Sequence, residues 1–205
     1  MTRLGIFGGT FNPIHAAHLI LAERARDERA LDKVLFIPAL LPPHKPQEPL
    51  APSADRLRMV ELAVEGNPAF EALPLELERE GPSYTLLTVR ELRGRFGAAV
   101  QLFLLLGADS VRDMPTWWRA QDLVRTVDII AFDRPGHSLD RAVDQLAALF
   151  GEDWAGRVRD LKVSAPLLDI SASEIRQRVA AGRSIRYLVP EPVRRHILER
   201  GLYRP

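Results

Sequence analysis

The residues Val100 to Leu106 (VQLFLLL) form an apolar run with no polar/apolar alternation. A strand with one solvated face alternates, whereas a strand buried on both faces does not, and strands of the second kind belong mainly to parallel sheets covered by helices. Shorter runs of similar character lie at Arg3 to Phe7, Lys33 to Ile37 and Asp128 to Phe132. Between them, Ala16 to Ala30, Ala54 to Glu65 and Tyr84 to Phe96 have helical composition, and Phe70 to Leu77 reads as an irregular strand. Strands interleaved with helices of this length predict βαβ units and an α/β, Rossmann-like, doubly wound parallel sheet.

The end of the chain changes character. After a strand candidate at Leu167-Leu168-Asp169 come two short helices, Ala172 to Ala181 and Pro192 to Arg200, set apart by Gly182 and Pro190. They read as a small C-terminal helical cap. The expected organisation is one domain over residues 1–205, with a body at 1–169 and a helical segment at 170–205, which suits a chain of this length.

Composition excludes several classes. There is no cysteine, so disulfide scaffolds, thiolate nucleophiles, iron–sulfur clusters and Cys-ligated zinc are ruled out. The longest apolar run is far shorter than the roughly 20 residues needed to span a bilayer, and the N-terminus has no apolar leader pattern. A soluble, cytoplasmic chain with no membrane partner is the expectation. The formal charge is +1, but residues 176–205 hold eight Arg against two Glu, a net +6, leaving 20 basic against 25 acidic residues, −5, elsewhere. Such a basic tail is either a solvated helix face or a binding surface. With a pI of about 8.2 and few interleaved aromatics, no nucleic-acid partner is expected.

In an open parallel sheet, ligands bind beyond the carboxyl ends of the strands. The first such loop runs Gly8-Gly9-Thr10-Phe11-Asn12-Pro13-Ile14-His15-Ala16-Ala17-His18. Two glycines let the backbone turn tightly and approach a ligand with no Cβ in the way. The helix that follows offers unpaired N–H groups and the positive end of its dipole to phosphate. His15 and His18, three residues apart, share one side of that turn. The loop is neither a Walker sequence nor a GxGxxG fingerprint. A metal pair would need a third ligand, and none stands out.

Five segments in order carry a resemblance across nearly the whole chain. GGTFNPIHAAH resembles the (H/T)xGH signature of the α/β-phosphodiesterase nucleotidyltransferases. Pro42-Pro43-His44-Lys45, Pro82-Ser83-Tyr84-Thr85, Gly107-Ala108-Asp109-Ser110 and Ile170-Ser171-Ala172-Ser173-Glu174-Ile175-Arg176 resemble the PPHK, PSYT, GADS and ISxTxIR segments of the bacterial nicotinate-nucleotide adenylyltransferase family. Departures are Asn12 where Asp is common, Ala17 where Gly is usual, and Ser173 for Thr; the extra methyl of Ala17 calls for adjustment, not loss of function.

The resemblance implies adenylyl transfer from ATP to nicotinate mononucleotide, giving deamido-NAD and pyrophosphate by direct in-line displacement. It implies that Gly8, Gly9, Thr10, Phe11, His15, His18, Gly107, Asp109, Ile170, Ser171, Ser173 and Arg176 bind ATP, with His18, His15 and Arg176 catalytic. Lys45, Tyr84, Thr85 and Trp117 would bind the mononucleotide, Trp117 stacking on its ring. Mg²⁺ is the implied cofactor, held mainly by ATP phosphates, with no protein ligands evident. Homo-oligomerisation is left open.

Other readings of the same residues stand beside these. Ser171 with Glu174 is a capping box, Asp109 an N-cap, Trp118 packing, and His137 and His196 surface residues. Rival functions are adenylyl transfer to nicotinamide mononucleotide, another acceptor such as phosphopantetheine or a small alcohol phosphate with CTP, or a non-catalytic nucleotide-binding regulator.

Overall fold

The computed structural model describes residues 1–42, 50–97, 99–166 and 168–204. Its elements run β1 (Thr2–Gly9), α1 (Ala16–Glu28), β2 (Lys33–Pro38), α2 (Ser53–Val64), β3 (Phe70–Ala72), α3 (Thr85–Phe96), β4 (Val100–Gly107) and α4 (Ala108–Asp113). A 3-10 turn (Met114–Thr116) then leads to α5 (Ala120–Thr126), β5 (Asp128–Phe132), α6 (Leu139–Phe150), α7 (Glu152–Asp160), α8 (Ala172–Ala180) and α9 (Glu191–Glu199).

Five strands form one parallel sheet in the order β3-β2-β1-β4-β5, flanked by helices in a Rossmann-like α/β fold. The run that predicted a doubly buried strand is β4, whose residues Leu102 to Leu105 are at most 2% exposed. It pairs with β1 from Thr2↔Val100 to Ile6↔Leu104 and with β5 from Phe103↔Asp128 to Gly107↔Phe132. Gly5 of β1 lies where a Cβ would stand 2.9 Å from Leu31 Cδ1 and 3.0 Å from Leu105 Cδ1. The missing methyl makes room for Leu31, from the turn between α1 and β2, and for Leu105 of the neighbouring strand β4.

Two expectations need correction. The strand read over Phe70 to Leu77 stops at Ala72: Leu73 N–H still reaches Phe36 O at 2.9 Å, but Pro74 has no N–H to continue a ladder, and its carbonyl instead accepts from Leu77 and Glu78. The strand candidate at Leu167-Leu168-Asp169 is not formed at Leu168 and Asp169, while Leu167 lies outside the described residues. Helices α6 and α7 were not assigned from sequence, although the buried positions of α6, Leu139, Ala142, Val143, Leu146 and Ala147, follow helical spacing.

The chain divides into two compact units. One comprises Met1–Phe7, Ala22–Val34 and Tyr84–Leu168; the other comprises Gly8–Leu21, Leu35–Ser83 and Asp169–Pro205. In the second, Phe11, Phe36 and Phe70 form a chain of ring contacts at 5.9 and 5.1 Å, and α9 packs on α2. No helix among the described residues is long and apolar enough to cross a membrane.

Candidate active site

Gly8 and Gly9 are the last residues of β1, and neither has positive φ. The predicted glycine turn is therefore displaced. The left-handed residue is Phe11, at φ 44°, held by burial between the rings of His18 (5.2 Å) and Phe36. Gly8 keeps the other expected property: a Cβ there would meet nothing within 4 Å, so a ligand can approach the backbone, whereas a Cβ on Gly9 would lie 3.5 Å from the Phe11 ring.

His15 immediately precedes α1 and His18 lies in its first turn. Their rings stack at 3.7 Å with a 27° interplanar angle. The His15 N–H donates to His18 Nδ1 at 3.2 Å, and an accepting Nδ1 in a neutral ring leaves the hydrogen on Nε2. His15 is 3% exposed and His18 is half-buried. Ala17 is fully buried, so its methyl faces packed protein.

The ISASEIR segment begins α8. Ser171 Oγ accepts from Glu174 N–H at 3.1 Å, so it is the N-cap its capping-box spacing predicted. One turn in, Arg176 Nη1 donates to Asn12 O at 2.9 Å and Nη2 to Ser173 Oγ at 3.3 Å. A guanidinium from near the end of the chain thus joins the histidine loop within one unit. Ile170 precedes the cap in the same unit.

Sequence reasoning missed what fixes this loop. Arg56 on α2 is 1% exposed and donates to three main-chain carbonyls: Thr10 O (2.8 Å), Ala39 O (2.6 Å) and Ala51 O (3.1 Å). Burial lowers its pKa from the ordinary arginine value. Its neighbour Asp55 takes His196 Nε2 at 3.0 Å and Arg200 Nε at 3.1 Å. His196, expected at the surface, has only 15% of its side chain exposed, because α9 turns it onto α2. His137 is half-buried, 3.2 Å from Arg112. The only sequence signal for Arg56 was an arginine at a helical core position, which periodicity would have flagged.

The other expected contacts belong to the first unit. Gly107 ends β4 and caps α4; Asp109 lies in the first turn of α4 and does not cap it. The Asp109 carboxylate occupies the space of a missing Cβ, 2.5 Å from that ideal position, with Arg134 Nε 3.9 Å away. Tyr84 precedes α3 and Thr85 begins it. Trp117 is half-buried after the 3-10 turn. Trp118, expected as packing, stacks on Tyr84 at 4.8 Å and 24° while remaining 40% exposed. Ser83 of the PSYT segment lies in the second unit, where its Oγ accepts from Leu40 N–H at 2.9 Å. Lys45, with Pro43 and His44, lies outside the described residues. Among the described residues no three His, Asp or Glu side chains stand together as cation ligands.

The cytidylyltransferase-like family matches residues 6–178. A "Probable nicotinate-nucleotide adenylyltransferase" of Thermomicrobium roseum is 45% identical, covering 100% of this chain and 92% of its own. One of Salinibacter ruber with the same name is 44% identical, covering 98% of both. Among solved structures, Plasmodium falciparum nicotinic acid mononucleotide adenylyltransferase complexed with NaAD superposes with a TM-score of 0.77 over 99% of this chain and 98% of that one, at 16% identity. That likeness bears on the fold.

Proposed function

The chain belongs to the cytidylyltransferase-like family, among the nicotinate-nucleotide adenylyltransferases, and from that premise we propose that it transfers the adenylyl group of ATP to nicotinate mononucleotide, forming deamido-NAD and pyrophosphate. The observation that carries the reading is the convergence of Arg176 on the loop of the stacked histidines, through its 2.9 Å bond to Asn12 O. Such a set suits a triphosphate. An Nε2–H on His18, a planar cation at Arg176 and the N-termini of α1 and α8 all favour anions.

The acceptor is already a phosphate anion, so no general base is required to make it nucleophilic. One acceptor oxygen attacks the α-phosphorus of ATP as the bond to the β-phosphate oxygen breaks in line, and the pair of electrons leaves with pyrophosphate. The chain's task is to hold two anions in that geometry and to offset the charge that builds on the phosphoryl oxygens. His18 and His15 serve the reacting phosphate and Arg176 the leaving group. Gly8, Gly9, Thr10 and Phe11 supply a backbone that phosphate oxygens can approach; Ser171, Ser173 and the Ile170 backbone flank Arg176. We assign Gly107 and Asp109 to the nucleoside, and Tyr84, Thr85 and Trp117 to the pyridine ring and its carboxylate, with Lys45 as a phosphate contact.

A divalent cation, taken to be Mg²⁺, would enter with ATP, bound by phosphate and water oxygens as this hard ion prefers; no protein ligand set is assigned to it. A chain without cysteine fits a reducing compartment, and we assign the reaction to the cytoplasm.

The test mixes protein, ATP and Mg²⁺ with nicotinate or nicotinamide mononucleotide and identifies the dinucleotide by mass. Deamido-NAD as the faster product supports the reading; NAD as the faster product moves the activity to the amide, and no pyrophosphate above background leaves a nucleotide-binding regulator. His18→Ala should lower turnover about 10²–10³-fold at saturating ATP, as loss of an oxyanion-type donor does.

A further inference from the structure

The last turn of the chain returns to the histidine loop. Helix α9 ends in a Schellman motif: Gly201 N–H donates to Leu198 O and Leu202 N–H to Ile197 O, with Gly201 at φ 61°. Tyr203 follows, itself left-handed at φ 63°. A non-glycine residue there is strained and persists where its surroundings hold it. Its holding contact is the phenol, which donates to Asn12 Oδ1 at 2.9 Å.

Asn12 is fully buried and used at both ends. Its Oδ1 also accepts from Ala51 N–H at 3.1 Å, and its main-chain oxygen accepts from Arg176 at 2.9 Å. Because a main-chain N–H can only donate, the atom facing Ala51 is the amide oxygen, and Tyr203 must be the second donor to it. Burial raises the Tyr203 phenol above its ordinary value, with Arg176 and Arg56 pulling it down less. The hydroxyl therefore stays protonated and able to donate throughout the neutral range.

We propose that Tyr203 is a positioning residue for the phosphate-binding loop, acting through Asn12 on the carbonyl to which Arg176 is bonded. Fixing the Asn12 side chain fixes its peptide unit, and that peptide unit sets the guanidinium and the entry to His15. The anchors of α9 on α2, His196 and Arg200 to Asp55, deliver Tyr203 to this point. The carboxamide at residue 12 suits a neutral phenol donor beside two arginines, and a carboxylate there would accept from it equally well.

The proposal rests on the adenylyltransferase reading for its kinetic readout, and an affinity measurement separates the two. Tyr203→Phe, Asn12→Ala and the double variant are compared with the unaltered protein for kcat, both KM values and the dissociation constant of a non-hydrolysable ATP analogue by calorimetry. One neutral hydrogen bond contributes about 0.5–1.5 kcal/mol. Tyr203→Phe should therefore lower kcat/KM for ATP and analogue affinity about 3–10-fold, leaving KM for the mononucleotide within twofold. The double variant should be no worse than Asn12→Ala. Asn12→Asp, which keeps the acceptor, should stay within twofold of the unaltered protein. Analogue affinity and ATP kinetics within twofold in Tyr203→Phe would overturn the proposal, even with a lowered Tm, as would independent, multiplying losses in the double variant. If the unaltered protein binds the analogue but makes no dinucleotide, the function assigned above fails while the affinity arm still decides the role of Tyr203.

Discussion

Arg56 sets the tolerance of the site to change at the residue scale. A guanidinium that is 1% exposed stands among main-chain oxygens of Thr10, Ala39 and Ala51, so removing it leaves buried acceptors unsatisfied, at about 1–3 kcal/mol per group. Arg56→Met should lower unfolding free energy by about 3 kcal/mol in urea. Arg56→Lys should fall between, since an ammonium keeps the charge but not the planar array of donors. A loss below about 1 kcal/mol in Arg56→Met would mean that the three carbonyls are satisfied in other ways. Helical periodicity puts Arg56 on the buried face of α2 with Met59 and Val60, but its partners are not local: Asp55 turns to α9 and Arg56 to the loop.

Among the elements, α8 tests whether capping and ligand binding are separable. Ser171 Oγ caps the helix, while Ser173 Oγ accepts from Arg176. Ser171→Ala should lower stability by about 1 kcal/mol, the usual loss for a missing N-cap. Ser173→Ala should change stability by less than about 0.5 kcal/mol, as exposed substitutions do, and raise KM for ATP about threefold by loosening Arg176. Urea melts and ATP saturation curves on the two variants give the comparison; if both lower stability equally, the division is wrong. Elements of this kind were largely legible. Runs without alternation gave β1, β2, β4 and β5 within a residue or two, and Ser-x-x-Glu gave the start of α8, because burial on two faces and capping are local. The end of β3 depended on Pro74, and the turn at Phe11 on ring packing with residues distant in sequence, which no local pattern encodes.

For the whole molecule, the near-zero net charge hides a division that the fold partly resolves. Of the eight arginines at 176–205, Arg176 reaches Asn12, Arg178 Glu174, Arg194 Glu191 and Arg200 Asp55. Four of the eight are therefore engaged within the chain. Ligand linkage then offers a measure of what the site holds. A ligand that binds only the folded state at a hundredfold its Kd adds about 2.7 kcal/mol, and for a chain of 150–250 residues each kcal/mol moves Tm by about 2–4 °C. Saturating ATP with Mg²⁺ should raise Tm by about 5–10 °C in differential scanning calorimetry. Arg176→Ala at the same ATP concentration should lose most of that shift without a comparable change in the ligand-free Tm, because Arg176 is half-buried and its bonds to Asn12 O and Ser173 Oγ can be replaced by water. A full shift in Arg176→Ala would place the triphosphate away from α8 and leave the histidine turn to bind it unaided.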